Sequence, residues 1–246
     1  MNDRSRSSAP SADPVDGILL VDKPAGLTSH DIVDRIRRRF RFRKVGHGGT
    51  LDPMATGLLV VLLGRGTRLS ERFTASDKQY EGVMRLGVRT DTDDVDGTVI
   101  AEADPSAVTE AQLREAMARR TGDLMQTPPM VSAVKQGGVP LYKLARKGHT
   151  VERKPRLIHV YAFTLLGYEP PRARFRLACT KGTYVRTLCA EIGEELGCGA
   201  FLESLRRTAS GPFQVSAARP LDALLQMELG PFLDCVIPLH RIEWNA

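Results

Sequence analysis

No stretch of this chain limits its possible folds more than Gly46-His47-Gly48-Gly49-Thr50-Leu51-Asp52-Pro53-Met54-Ala55-Thr56-Gly57, which runs straight into the apolar residues 58–63. Four glycines within twelve residues let the backbone turn tightly and leave room for a ligand to approach it. Pro53 biases the preceding Asp52 toward an extended conformation. Residues 58–63 read as a fully buried strand. The Asp52 carboxylate therefore projects from a loop anchored in buried structure. An Asp-Pro pair alone is an ordinary turn. The glycine density and a basic stretch ending at Lys44, eight residues upstream, make this one a candidate site.

The rest of the chain mixes strand and helix signals without a regular βαβ rhythm. Residues 17–21 form a short apolar strand closed by the turn Asp22-Lys23-Pro24-Ala25-Gly26. Ser29 caps a helix that places Ile32, Val33, Ile36 and Phe40 on one face. Met84, Leu86 and Val88 alternate as in a half-buried strand, and so do Ala173, Phe175, Leu177 and Cys179. Thr109 and Gln112 make a capping box for a helix carrying Leu113, Ala116 and Met117, with Gly122 as its stop. Residues 183–196 predict another helix, stopped by Gly197. One-sided alternation of this kind favours an α+β fold, a mixed, largely antiparallel central sheet with flanking helices, over a doubly wound parallel sheet. Residues 1–14 hold almost nothing to bury and predict a disordered tail. Residues 15–218 form the main domain, with a Pro- and Gly-rich excursion at 126–156. Residues 219–246 are a short C-terminal segment with one helix near 221–227.

Thirty-five basic residues against 29 acidic ones give a formal net charge of +6. That excess is modest, so its distribution matters more than its size. Residues 35–44 hold seven cations and no acid, among them Arg38, Arg41, Arg43 and Lys44. Residues 135–156 hold seven more, including Lys135, Arg146 and Lys147, against Glu152 alone. Two such runs flanking one candidate site present a positive surface to a polyanion. Phe40, Phe42, Tyr142 and His149 lie among these charges, where they could stack on nucleic-acid bases. The four cysteines contain no C-x-x-C pair, so neither a zinc site nor a disulfide framework is indicated. No apolar run is long enough to span a bilayer and no signal-peptide core is present. The expectation is a reduced, soluble, cytoplasmic protein.

At these residues the chain resembles a known family. Residues 46–57 resemble the G-H-x-G-T-L-D-P-x-A-x-G loop of the TruB family of tRNA pseudouridine synthases. Asp22-Lys23-Pro24-Ala25-Gly26-Leu27-Thr28-Ser29 resembles that family's D-K-P-x-G-x-T-S, and Lys78-Gln79-Tyr80 its K-x-Y strand. Residues 87–97 resemble its acidic G-x-x-T-D-T-x-D-x-x-G turn, and residues 126–148 its Q-x-P-P insertion. Gly182-Thr183-Tyr184-Val185-Arg186-Thr187-Leu188 is similar to G-T-Y-I-R-T-L, and Leu205-Arg206-Arg207 to the closing L-R-R. The matches run in order from residue 17 to about residue 215.

The resemblance implies the pseudouridine synthase fold and the isomerisation of uridine 55 in the T arm of tRNA, by a monomer needing no cofactor or metal. It implies that Asp52 is the nucleophile, a role that suits an ionisable carboxylate. Tyr80 stacks on the target base and takes its C5 proton, and Arg186 pairs with Asp52. Tyr184 and Leu205 line the pocket of the flipped nucleotide, His47 wedges into the RNA loop, and Lys23 supports the site electrostatically. Arg38, Arg41, Arg43, Lys44, Lys135, Arg146 and Lys147 are the expected contacts to the RNA backbone. Residues 219–246 are too short for the longer C-terminal RNA-binding module common in the family. Two other classes remain in play. A non-catalytic tRNA-binding protein or tRNA-folding chaperone would carry the same basic runs. An aspartate-dependent hydrolase would need a second carboxylate, with the acids at 91–96 as its source.

Overall fold

The computed structural model describes residues 15–132 and 151–242, with the backbone of 135–136 and 139–140. The expected tail at 1–14, the side chain of Lys135, and Tyr142, Arg146, Lys147 and His149 lie outside the described residues. In chain order the elements begin β1 (Gly17–Lys23), α1 (Ser29–Phe40), β2 (Val45–His47), β3 (Thr56–Leu63), α2 (Ser70–Ala75) and β4 (Lys78–Leu86). A short hairpin of β5 (Val88–Thr90) and β6 (Val99–Glu102) leads to α3 (Glu110–Ala118) and β7 (Gly122–Gln126). Then come β8 (Lys135–Gln136), β9 (Val139–Pro140), β10 (Arg156–Glu169), β11 (Arg172–Cys179), α4 (Val185–Glu195) and β12 (Ala200–Ser210). The chain continues with β13 (Phe213–Gln214), β14 (Arg219–Pro220), α5 (Leu221–Gln226), α6 (Leu229–Asp234) and β15 (Ile237–Pro238).

The main sheet runs β14-β1-β3-β12-β4-β11-β10-β7. Its pairs are antiparallel except β1–β14 and β3–β12, so the expected α+β class with a mixed, largely antiparallel sheet holds. The unbroken apolar run of β3 has a simple cause, because the strand is covered on both faces. Leu59, Val61 and Leu63 pack with Ile32 and Ile36 of α1 and with Leu224 and Phe232 of α5 and α6. Leu58, Val60 and Leu62 pack with Ile18, Leu20 and Phe73. Beyond β12 the alternating strands bury one face under α3 and α4, where Leu113, Met117, Leu188 and Ile192 meet Met84, Phe175 and Leu177.

Three local expectations are corrected. Helix α1 is capped by Thr28 rather than Ser29: the Thr28 hydroxyl accepts from the Asp31 N–H, and the Asp31 carboxylate accepts from the Thr28 N–H. This frees Ser29 for a tertiary role. Helix α3 stops at Ala118, and Gly122 opens β7 instead of ending the helix. Phe40 and Phe42 are buried against Phe232, with ring centroids 3.8 and 5.8 Å from it, so neither ring is available to a base.

Candidate active site

The loop between β2 and β3 carries Asp52, and three buried polar side chains hold its backbone. Lys23 is fully buried, and its ammonium donates to the carbonyls of Pro24, Pro53 and Ala55 at 2.8, 3.1 and 2.6 Å. Burial pulls its pKa down to about 8, against the opposing pull of Asp52. Ser29 closes on Leu51 in both directions, accepting from its N–H at 2.8 Å and donating to its carbonyl at 3.2 Å. Arg207 on β12 donates to the carbonyls of Leu58, Thr50 and Gly49. At the end of the loop Gly57 has φ +95° and lies where any Cβ would strike the Arg207 backbone, so only glycine fits.

The loop forms one wall of a cavity of about 230 Å³ whose other walls include Tyr80, Ser132, Tyr184, Arg186, Leu205 and Arg207. Among the described residues Asp52 is the only carboxylate in that wall. Arg186 on α4 is buried, with its Nε 3.9 Å from the Asp52 Oδ2. Its tightest carboxylate partner is Asp94, at 3.0 Å from Nη1, and its Nη2 donates to the Val131 carbonyl. The Nε–H has no hydrogen-bond partner among the described residues, so a buried donor faces the carboxylate unsatisfied. The loss of water around Asp52 raises its pKa above the ordinary carboxylate value. Arg186 and Lys23 oppose this, while Asp94 and Asp96 add to it. The side chain is still 42% exposed, so water screens the roughly 4 kcal/mol attraction that Coulomb's law gives at this separation with an effective dielectric near 20.

Tyr80 is buried, and burial pushes its phenol up to about 12, with Arg207 pulling the other way. That is the wrong direction for a phenolate base. Tyr184 precedes α4, and its backbone is gripped at both ends by the buried Gln126: Oε1 accepts from the Tyr184 N–H at 2.8 Å, and Nε2 donates to its carbonyl at 3.1 Å. Leu205 is buried at the cavity wall, directly across β12–β4 from Gly82. The cavity thus brings together Asp52, Tyr80, Arg186, Tyr184 and Leu205.

Other expected site residues sit elsewhere. Lys23 is absent from the cavity wall, with its donors committed to backbone carbonyls. His47 lies half-buried on β2, also outside the wall; burial and the Arg207 charge lower its pKa, which favours the neutral ring. Arg38, Arg41, Arg43 and Lys44 are exposed. Arg39 of the same run instead donates to the carbonyls of Leu225 and Met227 at 2.9 and 2.8 Å, tying α1 to the C-terminal segment. Asp94 is buried between Arg186 and the Thr92 hydroxyl and does not reach the cavity, so the acid-rich turn offers no second carboxylate for hydrolysis. No group of three or more His, Cys, Asp or Glu that could hold a metal occurs among the described residues, and no described helix is long and apolar enough to cross a membrane.

Sequence reasoning missed Gln126, Asp94, Ser29 and Arg207. Each lay inside a quoted motif, but only the tertiary partner reveals its task.

Comparison with known proteins bears on the same residues. A family model described as TruB family pseudouridylate synthase (N terminal domain) matches residues 37–185, and one described as tRNA pseudouridylate synthase B C-terminal domain matches residues 186–238. A tRNA pseudouridine synthase B from Opitutus terrae is 51% identical over 227 residues, covering 92% of this chain and 94% of the relative. One from Syntrophotalea carbinolica is 50% identical over 210 residues, covering 85% and 69%. Among solved structures, a Cbf5-Nop10-Gar1 complex contains a chain similar at TM-score 0.71 and 31% identity over 90% of this chain and 60% of that one. An H/ACA RNP bound to a substrate RNA containing 2'-deoxyuridine gives TM-score 0.67 at 28% identity, covering 90% and 59%.

Proposed function

The chain belongs to the TruB family of pseudouridylate synthases, and from that membership we propose that it isomerises uridine 55 in the T arm of tRNA, with Asp52 as the nucleophile. The activity class is that of a tRNA pseudouridine synthase, an isomerase. The observation that carries the assignment of Asp52 is its position as the only carboxylate in the cavity wall among the described residues, faced by an unsatisfied N–H of the buried Arg186.

The chemistry follows from the walls. A uridine stacked in a folded loop must be extruded before its glycosidic bond can be reached, at about a few kcal/mol. Phosphate contacts from the exposed Arg38, Arg41, Arg43 and Lys44 offset that cost. Lys135, Arg146 and Lys147 are further contacts to the RNA backbone in this reading. His47 occupies the space left by the displaced nucleotide. The extruded base stacks on Tyr80, with Tyr184 and Leu205 closing the pocket. Asp52 forms a covalent bond to the nucleotide, the N1–C1′ bond breaks, the uracil turns and rejoins through C5, and the bond to Asp52 breaks to regenerate the carboxylate. The C5 proton is released and N1 gains one, so RNA mass is unchanged. Tyr80 stacks on the base, and burial, which raises its phenol pKa to about 12, works against its taking the C5 proton. Residues 15–218, including the 126–156 insertion, carry this chemistry in a cytoplasmic monomer. Residues 219–242 extend the β1 edge of the sheet through β14 and β15.

The test uses a T-arm stem-loop RNA tritiated at uridine C5. Wild-type protein should release tritium from one uridine, and Asp52→Asn should release none. Tight RNA binding without release by the wild type would leave a tRNA-binding protein or folding chaperone in its place.

A further inference from the structure

Arg207 is 1% exposed, and no acidic side chain partners it among the described residues. A guanidinium is costly to bury in this way unless its hydrogen bonds are complete. Its bonds are distributed unusually. Nε donates to the Leu58 carbonyl at 2.7 Å, Nη1 to Thr50 at 3.3 Å and Nη2 to Gly49 at 3.2 Å, so one side chain spans both ends of the Asp52 loop. In the sheet Arg207 stands opposite Gly57 of β3 on one side and opposite Tyr80 of β4 on the other. Arg207 and Tyr80, paired across the strands, both line the cavity, and the Arg207 charge pulls the phenol pKa down against burial.

We propose that Arg207 is a positioning residue for the isomerisation, one guanidinium that holds the Asp52 loop and the Tyr80 ring in fixed relation. The proposal rests on the reaction assigned above. Asp52 comes from the strand pair β2–β3, and Tyr80 from β4 across the central strand. Only Arg207 bonds to the loop carbonyls from that strand while also pairing with Tyr80 across β12–β4. The planar fork explains the residue type: Arg207 reaches carbonyls at both ends of the loop with three separate nitrogens, whereas a lysine ammonium, as at Lys23, gathers its acceptors around a single point. A misplacement of about 1 Å between reacting groups costs about a hundredfold in rate, so slack in this tie appears in the chemical step.

The experiment measures single-turnover tritium release at saturating stem-loop RNA, RNA affinity and thermal melting for wild type, Arg207→Lys, Tyr80→Phe and the double variant. Arg207→Lys should slow the chemical step by about tenfold to a hundredfold, with affinity changed by less than about threefold. Its loss should also couple to that of Tyr80→Phe, the double variant falling short of the multiplied losses by about fivefold. A purely structural arginine lowers melting and gives losses that multiply, and that result overturns the proposal. Should Arg207→Lys not fold, the nuclear magnetic resonance signal of the Arg207 Nε–H supplies the same decision in folded protein. It should move in Tyr80→Phe, and an unmoved signal overturns the proposal. Wild type that releases no tritium overturns the assigned reaction, and this proposal with it.

Discussion

Replacing Lys23 by Met tests the claim that a buried cation holds the Asp52 loop. The lowering of its pKa from 10.5 to about 8 means that the folded protein disfavours the ammonium, relative to the amine, by about 3.4 kcal/mol. Methionine removes that penalty but also removes three charged hydrogen bonds, each worth about 1.5–3 kcal/mol. Water can reach the part-buried carbonyls of Pro24 and Pro53 but not the buried bond to Ala55. The expected net loss at neutral pH is therefore about 1–3 kcal/mol, or roughly 3–10 °C in Tm for a chain of this size. The pH dependence is the sharper readout. A lysine whose folded pKa is depressed leaves the unfolded chain holding more protons between pH 8 and 10.5, so wild-type stability gains from Lys23 as pH rises through that window. The Met variant lacks this gain, while Lys78, also lowered to about 8, contributes equally to both proteins and cancels. Urea unfolding at pH 7.5 and 9.5 should show the gap between wild type and Lys23→Met widening by about 2 kcal/mol. A gap that stays constant across that range would refute the reading of Lys23 as a buried ammonium.

Other outcomes follow from the same structure. Because desolvation raises the Asp52 pKa, ionised Asp52 weighs against folding. Asp52→Asn should therefore melt higher than wild type near pH 7, and the advantage should shrink as pH falls through the folded pKa toward 3.8, by calorimetry across that range. The acid limb of the wild-type rate should for the same reason lie above the range of an ordinary carboxylate, measured as tritium release against pH. Gln126→Leu leaves the Tyr184 N–H without its acceptor, while the Tyr184 carbonyl keeps the Leu188 N–H. It should cost about 1–3 kcal/mol in urea unfolding and slow the chemical step more than it weakens RNA binding. Arg41→Gln should reduce the salt dependence of RNA affinity by about one phosphate contact, whereas Arg39→Gln should lower Tm and leave RNA affinity unchanged, since its side chain already holds Leu225 and Met227.

What could be read from the sequence was what depends on neighbours along the chain. The Asp52-Pro53 loop, the buried 58–63 strand, the alternation at 173–179 and the Thr109–Gln112 capping box are all local patterns, and all appear in the fold. Phe40 misled because it lies in a basic run. Its spacing from Ile32 and Ile36 already marked it as core, yet the ring that covers it, Phe232, is far along the chain. Thr28 and Ser29 are equally good caps in sequence, and only the Leu51 backbone decides which of them is free. Lys23 and Arg207 were hardest, because long cations are almost never fully buried. Their burial depends on carbonyls that a glycine-rich loop turns inward, which no propensity records.

The strand that completes the site is also the one made late. Arg207 lies 157 residues beyond Thr50 and 158 beyond Gly49, the loop residues that it holds, and β12 inserts between β3 and β4, both made far earlier. A chain emerging from the ribosome N-terminus first therefore displays its basic 35–44 run and its Asp52 loop long before Arg186 and Arg207 exist. Such a nascent chain already has Lys23 and Ser29 to hold part of the loop but lacks the contacts of Arg186 and Arg207. On the proposed reaction, a product terminated before residue 207 should release no tritium from uridine C5. Translation thus delivers the Asp52 loop first and its restraint from β12 last.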